Sequence, residues 1–276
     1  MKCKDFGGPL LRGGAWSFLA LGLAVCFGPT RAGEPDDPLA EYREMFGDDN
    51  PAELWEVRGE SLWQAARAEG KSLADTCDLG LGVGKTRAAY VKLPRYFEDT
   101  GRVQDLESRL LTCMTRLGAD GDALVKQRFG DGDKKSDLEG LVAYLVEQSR
   151  GETIDVSLDH PEERKAYELG KAAFFYRAGT HDFSCSTCHD APGKRIRLQE
   201  LPHLATPQGA REAYTTWPAY RVSQGEFRTV EWRIGDCFRQ QRLPELVYGS
   251  PVAVGLTLFL AHTANGGQMA APGLKR

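Results

Sequence analysis

The chain has 276 residues, 27% of them charged, and a formal net charge of −4. That length allows one large or two modest domains with real cores, and an acidic balance argues against a nucleic-acid binder. Beyond the N-terminus no stretch approaches the roughly 18 consecutive apolar residues that a membrane-crossing helix needs, so no membrane span is expected.

The first thirty residues stand apart. Lys2, Lys4 and Arg12 precede an apolar run from Ala15 to Phe27, followed by Gly28-Pro29 and a small-residue site ending at Ala32. This is the order of a secretory signal peptide, and the run is shorter than a membrane anchor. Residues 1–32 are therefore expected to be cleaved near Ala32 and the mature protein to be periplasmic. Cleavage leaves Cys77, Cys113, Cys185, Cys188 and Cys237. An odd number of cysteines in an oxidising compartment gives at least one of them a special fate.

A helical run from Pro51 to Arg67, containing Gly59 and Trp63, precedes Cys77; a similar run from Pro161 to Arg177, with Gly170 and Phe174, precedes Cys185. Sliding the chain against itself by 124 residues aligns Tyr90 with Tyr214, Pro94 with Pro218 and Tyr96 with Tyr220. It also aligns Gly101 with Gly225, Glu107 with Glu231, Arg109 with Arg233, and Cys113 with Cys237. Each half then closes on an apolar helix face, Leu141, Tyr144 and Leu145 in the first and Leu256, Phe259 and Leu260 in the second. In each opening helix a glycine lets the closing helix approach, with an aromatic beside it. The halves read as a duplication of one unit: opening helix, cysteine site, loop, closing helix. The fold expected is mainly α, with two tandem cytochrome c-like domains at 33–150 and 151–276, the first without haem. The junction is placed around Ser149 to His160, and residues 118–137, rich in Gly, Asp and Lys, read as an inserted loop.

Cys185-Ser186-Thr187-Cys188-His189 has the C-x-x-C-H form of a c-type haem attachment site. Two thiols on one side of a helical turn can add across the porphyrin vinyl groups, and the adjacent histidine is then placed as an iron ligand. The rivals are a redox C-x-x-C pair and half a zinc site, but no second C-x-x-C exists. For the sixth ligand the sequence offers His203, Cys237, His262 and Met269. Cys237 is favoured because it is left over once the other thiols are assigned, and because Arg233 lies one turn earlier on the same helix, Thr229 to Arg242. A guanidinium there favours the thiolate, the form that binds metal and attacks sulfur; the competing reading is an inert buried cysteine. Where the second half has C-x-x-C-H, the first has Cys77-Asp78-Leu79-Gly80-Leu81. With the second thiol and the histidine missing, a Cys77–Cys113 disulfide is the expected use of the two remaining thiols. Lys194, Arg195 and Arg197 form a basic cluster after the motif, read either as a solvated loop or as a surface that steers an anion or acidic partner.

These residues resemble a known family. Arg233-Ile-Gly-Asp-Cys237-Phe-Arg-Gln-Gln-Arg242, Leu243 to Ser250 and Ala264-Asn265-Gly266-Gly267 are similar to the SoxA subunits of bacterial SoxAX cytochrome complexes, as are Thr76 to Gly80 and Leu93-Pro94-Arg95-Tyr96. Within that family the loss at Gly80 and Leu81 resembles the single-haem branch, in which a disulfide stands where the first haem was. The resemblance implies one haem c held by Cys185 and Cys188, with His189 and Cys237 as axial ligands, Cys237 as a reactive sulfur open to persulfide formation, and Arg233 beside it. It implies an L-cysteine S-thiosulfotransferase that couples thiosulfate oxidatively to a cysteine of the carrier SoxY–SoxZ, with electrons passing to a small SoxX cytochrome and on to a soluble cytochrome c. The alternatives are a simple periplasmic electron-transfer cytochrome and a subunit whose haem only stabilises the fold.

Overall fold

The geometry comes from a computed structural model, which describes residues 50–126, 136–196 and 199–276. The expected signal segment at 1–32 lies outside the described residues, as do the start of the first expected domain, part of its inserted loop, and Arg197. The described residues belong to one compact unit spanning 38–276. Ten α-helices carry it, in keeping with a mainly α fold, and its strands are short.

In the first half, α1 (Glu53–Gln64) is followed by the single-turn α2 (Leu73–Thr76), a hairpin of β1 (Arg95–Phe97) and β2 (Arg102–Gln104), α3 (Leu106–Arg116), α4 (Gly121–Lys126) and α5 (Asp137–Glu147). The second half has α6 (Pro161–Phe175), α7 (Cys185–His189), a small hairpin of β3 (Arg195–Ile196) and β4 (Gln199–Glu200), and α8 (Pro207–Tyr214). It continues with β5 (Ala219–Arg221), β6 (Glu226–Arg228), α9 (Val230–Gln240), α10 (Pro251–Thr263) and β7 (Gly273–Lys275). Helix α4 corrects the expectation of an unbroken loop over 118–137: Asp120 accepts a hydrogen bond from Ala123 N at 3.0 Å and starts a helical turn.

Side-chain caps set where most of these helices begin. Ser72, Asp105 and Ser184 each accept from the backbone N–H three residues on, with the reciprocal bond that completes a capping box. Thr206, Thr229 and Ser250 cap α8, α9 and α10 in the same sense, and proline occupies the first turn of α6, α8 and α10.

The opening and closing helices of each half meet through glycine, as the sequence led one to expect. A methyl group on Gly59 would lie 1.9 Å from the carbonyl oxygen of Gly140 in α5, and one on Gly170 would lie 1.8 Å from that of Gly255 in α10. Beside these contacts Trp63 and Phe174 are each 1% exposed. The hairpins repeat as well: Arg95 pairs with Gln104 and Phe97 with Arg102, while Ala219 pairs with Arg228 and Arg221 with Glu226, each position displaced by the same 124 residues. β7 adds a parallel third strand to the second hairpin only.

Equivalent residues of the two halves also touch each other. The rings of Tyr90 and Tyr214 stack with centroids 6.3 Å apart and planes 2° from parallel. Glu231 N donates to Glu107 Oε1 at 3.3 Å across the same 124-residue offset. Self-complementary contact of this kind is the signature of an isologous interface, here closed within one chain. Glu107, Glu231 and Asp105 are all almost fully buried there. Burial, with Asp105 close by, holds the carboxyls of Glu107 and Glu231 well above the usual carboxylate range.

The junction at 149–160 is more tightly held than a polar linker. Ser149, Ile154 and Val156 are buried, and the backbone is stitched to the C-terminal segment: Gly151 N donates to Met269 O at 2.7 Å, Ile154 N to Gly267 O at 2.9 Å, and Met269 N to Glu152 O at 2.9 Å. Asn265 adds both a donor and an acceptor to Val156. Nothing in the local composition signals this, because the partners lie over a hundred residues away.

Two outcomes follow. Gly170→Ala should cost at least about 2 kcal/mol, since the new methyl meets backbone that cannot rotate away; urea unfolding measures it. Because the buried carboxyls are protonated in the folded protein and ionise at lower pH in the unfolded chain, their contribution is complete below the ordinary carboxylate range. It is then lost as pH rises toward the raised folded values. Glu107→Gln, which keeps the acceptor for Glu231 N, should flatten the decline in stability measured by urea unfolding between pH 5 and pH 8.

Candidate functional site

The two cysteines and the histidine of the motif occupy one short helix. Ser184 accepts from Thr187 N at 3.2 Å and donates its own backbone N–H to the Thr187 hydroxyl at 3.0 Å, fixing the first turn of α7. Lys194 Nζ donates to Thr187 O at 2.6 Å near the other end, so one member of the basic cluster has a structural use. Arg195 sits in the exposed β3 strand.

His189 Nδ1 lies 2.8 Å from Pro202 O. A carbonyl only accepts, so Nδ1 carries the proton and Nε2 keeps its lone pair, the tautomer that a metal ligand requires. Burial favours the same neutral state by lowering the histidine's affinity for a proton.

Cys185, Cys188 and Cys237 are all free thiols. Cys185 packs against Phe174, Leu256 and Phe259, with Ile234 and Phe238 of α9 in the same apolar cluster. Burial pushes the Cys185 thiol up to about 12, with Cys237 and then Cys188 adding to it. Burial also raises Cys237, which Arg233 and Arg221 pull back toward the thiolate and Asp236 and Cys188 push up. Ile234 and Phe238 flank Cys237 on α9, so the cluster they share with Cys185 sets that helix beside α7. Arg233 Nη1 holds Asp236 Oδ2 at 3.3 Å, while the same carboxylate takes Arg239 and Gln240 at 2.6 Å each.

Of the other ligand candidates, Met269 and His262 make contacts of their own, and His203 directly follows Pro202, the partner of His189. Met269 is buried in the large core cluster with the first half, apart from the cluster around Cys185. His262 packs edge-on to Tyr167 at 5.1 Å between centroids. His203 turns its backbone into service: its carbonyl accepts from Thr206 N and Oγ1, and a methyl on Gly209 would lie 2.3 Å from it.

At the matching place in the first half, Cys77 and Cys113 form a disulfide with Cα atoms 5.4 Å apart. Asp78 Oδ1 closes a tight turn by accepting from Gly80 N at 2.6 Å and Gly82 N at 2.9 Å. Arg95 Nη1 donates to Gly80 O at 2.7 Å, and Arg109 Nε to Asp78 O at 2.6 Å. Leu79 is fully buried.

The donor set therefore fits a covalent haem in the second half: two reduced thiols on one turn, a histidine with Nε2 free, an apolar wall, and a third thiol from another helix. Sequence reading did not anticipate Asp236 as the organiser of Arg233, nor Arg221 as a second cation acting on Cys237. Both lie outside the motif, and only the fold brings Arg221 toward α9.

Comparisons with known proteins agree with this chemistry. A family model described as the SoxA/TsdA cytochrome c domain matches residues 58–154. The chain is 46% identical over 259 residues to the L-cysteine S-thiosulfotransferase subunit SoxA of Hydrogenophilus thermoluteolus, covering 92% of this chain and 94% of that one. A SoxA subunit of Hydrogenobacter thermophilus is 33% identical over 229 residues, covering 82% of each. Among solved structures, SoxXA from P. pantotrophus matches with a TM-score of 0.69 at 24% identity, over 86% of this chain and 84% of that one, which shows a shared fold.

Proposed function

The chain belongs to the SoxA family, and we propose that it is an L-cysteine S-thiosulfotransferase working through a single c-type haem on its second half. It joins the sulfane sulfur of thiosulfate to a cysteine of a carrier protein of the SoxY–SoxZ type. The protein is read as periplasmic, paired with a small SoxX-type cytochrome, which passes electrons on to a soluble cytochrome c. The observation that supports the reading is the apolar cluster in which Cys185 packs with Ile234 and Phe238, the residues either side of the free Cys237 on α9.

Each residue has a task. Cys185 and Cys188 would hold the porphyrin as thioethers, at the spacing that α7 sets. His189 would give Nε2 to the iron, since Pro202 holds its other nitrogen. Cys237 would supply a sulfur ligand to the same iron. Arg233 binds the sulfonate end of thiosulfate by charge-assisted hydrogen bonds, and its pull on Cys237 favours the thiolate. In the overall coupling a carrier thiol and thiosulfate give a carrier S-thiosulfonate, one proton and two electrons. The haem, when bound, supplies the electron sink that an oxidative sulfur–sulfur coupling needs.

The first half is read as a tandem cytochrome c-like domain that has lost its haem. Three features support this: the shared hairpin register and glycine seam, the disulfide at the cysteine positions, and a cytochrome c family model that falls on residues 58–154 although they lack the C-x-x-C-H motif. The domain boundaries at 33–150 and 151–276 follow from the same repeat. A plain electron-transfer cytochrome would draw on a methionine ligand, and Met269 is committed to the other core.

The test is Cys237→Met in the protein assembled with its partner. Haem attachment through Cys185 and Cys188 should persist while thiosulfate-dependent turnover falls below detection. Turnover that survives the substitution removes Cys237 from the reaction.

A further inference from the structure

The repeat offers an internal comparison at the positions around Arg233. Its counterpart Arg109 is fully satisfied: the guanidinium stacks 4.0 Å above the Phe97 ring, pairs with Asp99 at 2.9 Å, and contacts Gln104 Oε1 at 3.3 Å, with 3% of the side chain exposed. Shifting by 124 residues turns this set into Arg221, Ser223, Arg228 and Arg233. The aromatic platform has become a cation, the acid has become a serine, and the amide has become a cation.

Local partners offset one of the two new cations and leave the other. Arg228 is taken by Glu139 at 2.9 Å and by Gln224 at 3.1 Å. Asp236 serves Arg239 at 2.6 Å and reaches Arg233 only at 3.3 Å, and 34% of the Arg233 side chain is exposed. Arg221 lies 5.9 Å from the Trp232 ring centroid, and its Nε is buried without a hydrogen-bond partner. Among the described residues it makes no ion pair, even though Glu226 stands opposite it in the hairpin register. Burial, and next the charge of Arg233, makes it harder for Arg221 to hold its proton, which Asp236 offsets in part, and its contact with Trp232 sets it beside the residue that precedes Arg233 on α9. An under-neutralised pair of guanidiniums beside a reactive sulfur is unfavourable unless an anion completes it.

We propose that Arg221 is the second cationic arm of a dianion site at Cys237, acting with Arg233 so that the site selects doubly over singly charged sulfur oxyanions. This deepens, and rests on, the reading of Cys237 as the reactive sulfur. Arg233 anchors the anion from the turn before Cys237, and Arg221 reaches it from the hairpin. The first half shows what the fold does with these positions when no anion is to be bound: it places a phenyl ring and an aspartate there.

Equilibrium binding to the haem-loaded protein with its partner subunit tests this, using radiolabelled thiosulfate and, as competitor, the monoanion methanethiosulfonate. Arg221→Gln should weaken thiosulfate binding at least about tenfold, the worth of one charge-assisted hydrogen bond. The monoanion should change by less than about threefold on the same scale, having only one charge to lose. Arg221→Lys should restore most of the thiosulfate affinity. Equal losses for both anions, or no loss for thiosulfate, overturns the assignment. Should Arg221→Gln fail to load haem, Arg221→Phe carries the same test with the residue the first half already accommodates at this position. A wild-type protein that binds thiosulfate but transfers no sulfur overturns the functional reading, and the binding comparison still judges Arg221.

Discussion

Glu107 of the first half accepts the backbone N–H of Glu231 in the first turn of α9, and the later turns of that helix carry Arg233 and Cys237. The Thr229 hydroxyl, which caps the same helix, also bears on Glu107. Glu231 in turn accepts Gly249 N at 2.9 Å, which ties down the loop that follows α9. Both ends of the cysteine-bearing segment are thus referred to one buried cluster of carboxyl groups between the halves. Burial favours the protonated form of Glu107 and of Glu231, in which a carboxyl can donate as well as accept. The first half is in this sense the mount on which α9 is set.

Comparing the halves separates what the fold requires from what the chemistry requires. The glycine seam, the hairpin register and the capped helix after it appear in both, so they belong to the fold. The cysteines have gone separate ways: Cys77 and Cys113 close on each other, while Cys185, Cys188 and Cys237 stay reduced. The arginines diverge in the same way. Arg109 is buried among several partners, whereas Arg233, among the described residues, shares the Asp236 carboxylate with Arg239.

Much of this was legible in the sequence, for identifiable reasons. The C-x-x-C-H motif and the 124-residue offset are local or periodic, so they survive without coordinates, and Gly59 and Gly170 announced helix contacts that the structure contains. The Cys77–Cys113 pairing followed from comparing the halves. The backbone bonds that hold the Ser149–His160 junction were not legible, because its hydrogen-bond partners, Gly267 and Met269, are distant in sequence. Helix α4 was hidden by its glycine and aspartates, which read as loop until Asp120 is seen as its start. The alignment paired Tyr90 with Tyr214 and Glu107 with Glu231 but gave no sign that each touches its own counterpart, since a repeat has no orientation until it folds. Arg221 was missed for a related reason: its partner in the first half is Phe97, and an alignment scored on similarity passes over a site where the difference matters.

The ligand set of the haem is the claim on which the sulfur chemistry stands. An electron paramagnetic resonance spectrum of the ferric protein, loaded with haem and assembled with its partner subunit, tests it most directly. With His189 and Cys237 as axial ligands, the account predicts a low-spin signal of the narrow g-spread typical of thiolate ligation, one haem per chain. A histidine–methionine or bis-histidine signature, or a second haem in the same chain, would contradict it.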